Sequence, residues 1–103
     1  MYRDDRQFFR AARKVLSGAH MEPARWVNSA GFTDAAFDEG SLAVLSSGER
    51  LMVRVLRDLW NSRGGASVGD LFRTFDNDNL RCLGELLVAL ADGPDALDAW
   101  IAA

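Results

Sequence analysis

The sequence reads as all-α: a compact single-domain bundle of five to seven helices spanning residues 1–103, built around two strongly apolar central helices at about 47–61 and 77–91. Three observations lead there. Apolar residues recur at spacings of three and four along most of the chain, which is the period of a helix with one buried face. Short polar residues that cap helices stand where such stretches begin, as at Ser46, Ser67 and Asp76. No alternating run of useful strand length appears, and no segment repeats. With 103 residues, 49% of them hydrophobic and 26% charged, the chain has the size and balance of one globular domain. Such a domain buries about two-thirds of its unfolded surface.

The first helix is expected from Asp4 or Asp5 to about Leu16, with Gly18 as its stop. Phe8, Phe9, Ala12, Val15 and Leu16 share one face, and Arg3, Arg6, Arg10, Arg13 and Lys14 line the other. Pro23 fits the first turn of a short second helix that ends before Gly31. Thr33 or Asp34 can cap a third helical segment, and Asp38 to Leu45 reads as a further short turn of helix. Ser46 and Glu49 stand in capping-box spacing before a helix in which Leu51, Met52, Val55, Leu56, Leu59 and Trp60 cover a wide arc. Arg50, Arg54, Arg57 and Asp58 are confined to a narrow outer strip. The clearest loop is Asn61-Ser62-Arg63-Gly64-Gly65-Ala66. Ser67 then caps a helix with Val68, Leu71, Phe72 and Phe75, and Asp76 caps one that leaves only Arg81 and Glu85 as a polar strip. Asp92-Gly93-Pro94 breaks it, and Asp95 begins a last short helix with Leu97, Trp100 and Ile101.

Charge is unevenly placed. Residues 1–30 hold six bases and three acids, while residues 31–103 hold six bases and twelve acids. Either the first helix is a basic docking segment or it packs on the acidic remainder of its own chain. A heavy preference for arginine over lysine suggests a GC-rich, bacterial genome. Acids precede any apolar stretch at the N-terminus, which argues against a secretory signal. The apolar run Leu86 to Ala91 is too short for a bilayer. A cytoplasmic location without membrane association is therefore expected.

Motifs for chemistry are few. Leu45-Ser46-Ser47-Gly48-Glu49-Arg50 resembles the signature loop of ABC-type ATPases. That loop acts on a nucleotide held by a phosphate-binding loop ending in lysine, and here Lys14 is the sole lysine and lacks the glycines. Asp76-Asn77-Asp78-Asn79 begins like a calcium loop, but Leu80, Arg81 and Leu87 stand where a ligand, the glycine and the final glutamate belong. Helix capping explains both runs. The lone His20 has no nucleophile motif beside it, and the lone Cys82 lies on an apolar helix where a thiol behaves as a small hydrophobe. No catalytic residue, cofactor or metal ligand is assigned, and the chain is expected not to be an enzyme.

The order helix, glycine-rich loop, short helix, tight turn, apolar helix over about forty residues from Leu51 to Leu90 resembles the helix-turn-helix proteins, as does Ala66-Ser67-Val68-Gly69-Asp70-Leu71 on the approach to the short helix. The resemblance implies a nucleic-acid-binding protein with Asp76 to Leu90 as its recognition helix. The chain departs from that pattern, because Asp76 and Asp78 would face the phosphates and Arg81 is the helix's one base. The first helix with its arginine row is the better nucleic-acid contact.

The function expected is a protein–protein interaction module of adaptor or inhibitor type, with self-association into a homodimer compatible with it. A nucleic-acid-binding regulator is the alternative and less favoured. Candidate interface residues are Arg6, Arg10 and Arg13 on the first helix, with Trp26 and Trp100 on short peripheral helices. Tryptophan and arginine are the types that most often carry interface energy.

Overall fold

The computed structural model describes residues 4–103. Seven α-helices occur among them: α1 (Asp5–Gly18), α2 (Pro23–Trp26), α3 (Glu39–Ala43), α4 (Ser47–Asn61), α5 (Val68–Thr74), α6 (Asn77–Asp92) and α7 (Pro94–Ala102). A 3-10 turn spans Asp34–Phe37, and a two-stranded antiparallel hairpin joins β1 (Val27–Asn28) to β2 (Gly31–Phe32). The fold is all-α, with α4 and α6 at the expected places. The hairpin escapes the strand pattern because two-residue strands are too short to alternate. It is held by its turn, where Asn28 Oδ1 accepts from the Ala30 and Gly31 N–H groups at 2.8 and 3.1 Å.

Local chemistry fixes the helix starts. The Asp4 carboxylate caps α1, and Ser46 with Glu49 forms the expected capping box of α4, at 3.2 and 2.9 Å. Ser67 and Asp70 form a second box at the start of α5, at 3.2 and 2.9 Å. Asp76 Oδ1 accepts from Asn79 N at 2.8 Å to start α6. At the end of α1, Gly18 is still helical and His20 takes the left-handed position at φ 63°. The bonds Met21 N to Leu16 O and His20 N to Ser17 O close that end as a Schellman motif.

Helix α1 is the hub, packing against α2, both hairpin strands, α4, α6 and α7. It buries Gln7, Phe8, Phe9, Ala11, Ala12, Val15 and Leu16. An aromatic group gathers beside it, with the Phe9 ring 5.5 Å from Trp60 and 6.0 Å from Phe32. Its polar side grips α7. Gln7 Nε2 donates to Pro94 O at 2.8 Å and to Asp98 Oδ1 at 2.9 Å, and the Lys14 ammonium lies 4.6 Å over the Trp100 ring and donates to the Trp100 carbonyl. The cation thus meets the negative C-terminal end of α7.

The arginine strip of α4 does not simply face solvent. Arg50 donates to the carbonyls of Leu42 and Leu45, Arg54 pairs with Glu39 at 3.0 Å, and Arg57 donates to Ala36 O while stacking 4.6 Å over Phe37. These bonds tie residues 36–45 to α4, a segment whose own helices are too short to stand alone.

Helix α6 is less enclosed than its apolar sequence suggests. It buries Leu83, Leu86 and Ala89 while Leu80, Leu87 and Val88 are exposed. No helix among the described residues is long and apolar enough to cross a membrane.

Candidate partner-docking surface

Helix α5 stands out because none of its residues is buried. Its sequence folds locally for clear reasons: the Ser67–Asp70 box starts it, and Phe75, just past its end, turns inward as its buried anchor. The preceding loop is fixed by Gly64, whose N–H donates to Asp58 Oδ1 at 3.1 Å. A Cβ at Gly64 would lie 1.9 Å from the Arg54 carbonyl oxygen, so only glycine permits this close approach of loop to helix. The result presents Val68 and Phe72, one helical turn apart, at 84% and 88% exposure. Residues four apart share a helix face.

Next to them lies a cleft of about 220 Å³ between α4, α5 and α6. Val55 and Leu59 line it from α4, Val68 and Leu71 from α5, and Leu83 and Leu87 from α6. Leu59 and Leu87 are themselves exposed. The one carboxylate on its wall, Asp58, is already engaged by the Gly64 N–H. The cleft therefore offers apolar contact and almost no polar chemistry. The Asp70 carboxyl beneath the helix is held below its usual range by the N–H and hydroxyl of Ser67, which keeps the cap charged at neutral pH.

The residues singled out from the sequence scatter. Trp26 is only 2% exposed, so the expectation that it serves as a surface contact is corrected. Its short helix lies against α1 and the hairpin, which close over the indole. Trp100 is half-buried and carries Lys14 on its ring. Trp60, expected on the core face of α4, packs on Phe9 and Phe32 yet remains 37% exposed. Arg10 pairs with Asp98 at 3.2 Å in an exposed contact. Arg6 and Arg13 are exposed and, among the described residues, make no side-chain hydrogen bond or ion pair, while Arg3 lies outside the described residues. The row is thus divided, with Arg10 and Lys14 taken up by α7.

The surface residues Val68 and Phe72 were visible in the sequence only as apolar positions of a short helix.

Other chemistry-bearing residues are quiet. His20 is exposed at the end of α1. The Cys82 thiol is pushed up by burial and by the Glu85 carboxylate, and a Cβ at Gly18 of α1 would sit 3.2 Å from its Sγ. Among the described residues no group of three or more His, Cys, Asp or Glu side chains is arranged to hold a metal ion. On the helix-turn-helix resemblance, α5, the turn at 75–76 and α6 follow in the expected order, but Arg81, the one base of α6, is paired with Asp78 at 3.2 Å. No protein-family model matches the chain, and no curated protein and no solved structure matches it.

Proposed function

We propose that the chain is a non-enzymatic, cytoplasmic protein-interaction module whose α5 face and adjoining cleft receive an apolar segment of another protein. The observation that carries this reading is the near-complete exposure of Val68 and Phe72 on a helix that buries none of its own residues. Large exposed apolar side chains beside an apolar cleft are costly in water and mark contact sites rather than folding needs. An amphipathic helix or an extended segment with one or two large apolar anchors suits a groove of this chemistry. Binding would rest on apolar burial, so its affinity should depend little on salt.

A nucleic-acid reading has less behind it. Among the described residues of the arginine row it would rest on Arg6 and Arg13, since their neighbours Arg10 and Lys14 already contact α7.

Capture from an extract of the source cell tests the proposal, with immobilised wild-type protein compared with Phe72→Ser and with Val44→Ser. Val44 is 79% exposed on another part of the surface. A specific protein retained by wild type and Val44→Ser but lost with Phe72→Ser supports the reading. Equal retention by all three contradicts it.

A further inference from the structure

We propose that the protein also forms a homodimer through the outer face of α6, two copies packing antiparallel with Val88 of each beside Gly84 of the other. This contact lies apart from the α5 face and goes beyond the partner-binding proposal. Arg81, Gly84, Glu85, Val88 and Asp92 fall at spacings of three, four, seven and eleven from the first, so they form one stripe along the helix. The stripe borders an open trough of about 560 Å³ between α6 and α7, floored by Ala89 and Ala96 and walled by Trp100.

Shape and charge select a second copy as the occupant. Val88 is 62% exposed, and a Cβ built at Gly84 would meet nothing within 4 Å, so each helix has a projecting side chain and, one turn away, a gap. A two-fold axis near Leu86 brings each projection to the level of the other copy's gap, as an isologous contact requires. The trough also has a cation at one end and an anion at the other, since Arg81 and Asp92 lie roughly 16 Å apart along the helix, and the exposed Arg81–Asp78 pair at 3.2 Å is weak enough to leave the guanidinium open to a second carboxylate. Parallel packing would set like charges together. Antiparallel packing sets Arg81 against Asp92 twice. Glu85 sits next to the axis and meets its own counterpart, which weakens the pair and makes the dimer a reversible one.

Sedimentation equilibrium of the full chain from roughly 10 μM to roughly 1 mM, the weak end of specific association, tests this. The apparent mass should rise from 11.3 kDa toward twice that value with concentration. Val88→Glu and Gly84→Arg, both at open positions, should each hold it at 11.3 kDa with an unchanged circular-dichroism spectrum. Arg81→Glu should weaken association, Arg81→Glu with Asp92→Arg should restore it, and Glu85→Gln should tighten it several-fold. A mass of 11.3 kDa at every wild-type concentration overturns the proposal. So does a dimer that survives Val88→Glu and Gly84→Arg, or one that the paired charge exchange fails to restore. Phe72→Ser should leave the mass rise unchanged, and its loss there would move the contact to α5 and overturn the assignment to α6.

Discussion

Gly64 is the position where a single methyl group should do the most damage to the docking surface. Alanine there places its Cβ 1.9 Å from the Arg54 carbonyl oxygen and 2.6 Å from the Asp58 N and Cβ atoms. All are parts of α4 that cannot move without breaking helix hydrogen bonds, so the loop must retreat. Retreat separates the Gly64 N–H from Asp58 Oδ1, now 3.1 Å apart. Overpacking costs about 1–3 kcal/mol, and a hydrogen bond to a charged group contributes about 1.5–3 kcal/mol. A loss of about 3 kcal/mol is therefore expected, a large part of the ~5–15 kcal/mol that holds a domain together. In a chain of this size that lowers Tm by about 12 °C. Gly65→Ala is the control: its φ is 73° and its Cβ meets nothing within 4 Å, so left-handed strain alone should cost about 1 kcal/mol. Equilibrium urea unfolding of both variants provides the comparison. Gly64→Ala within about 0.5 kcal/mol of wild type, the range of an ordinary surface change, would refute the reasoning, as would a larger loss at Gly65.

Other consequences concern the core, the exposed face and acid. Trp26→Ala should destabilise by about 3–5 kcal/mol because it empties a buried site, so a loss of binding in that variant reports unfolding rather than contact; thermal denaturation separates the two. Val68→Ser with Phe72→Ser should leave stability within about 0.5 kcal/mol of wild type, since neither side chain is covered, and a loss above about 1.5 kcal/mol in urea unfolding would mean that both pack in the folded core. The Asp38 carboxyl is held low by the hydroxyl and N–H of Ser41, and that of Asp70 by the N–H and hydroxyl of Ser67. A lowered folded value means stability that is present above the ordinary carboxylate pKa near ~3.9 and lost as pH falls through the folded value. Tm should therefore fall on acidification below about pH 4, and Asp38→Asn with Asp70→Asn should flatten that fall.

Much of the fold is legible because helix starts are written locally. Ser46 with Glu49, and Asp76 with the backbone of Asn79, need only neighbours three residues away, so their spacing alone marks where α4 and α6 begin. What periodicity leaves open is which faces meet. Leu87 and Val88 satisfy the same helical pattern as Leu86, yet of the three only Leu86 is buried. Trp26 and Trp60 are alike reversed: the short α2 is enclosed by α1 and the hairpin, whereas Trp60 stands at the end of α4 where the covering runs out. Arg50 and Arg57 of α4 look like a solvated strip because their partners are backbone carbonyls at Leu42, Leu45 and Ala36, which carry no sequence signature. Gly64 is likewise one of several loop glycines until the distance to Arg54 is known. The docking surface was hard to see for the same reason, since an exposed apolar residue and a buried one are spelled alike.

The central claim is that Phe72 meets another protein. A photo-crosslinking residue placed at position 72, and separately at the equally open position 44, tests it in the living source cell. The expected result is a discrete heavier adduct from position 72, absent from position 44, whose partner is a different polypeptide. Equal labelling from both positions, or an adduct from position 72 at twice 11.3 kDa alone, would contradict it.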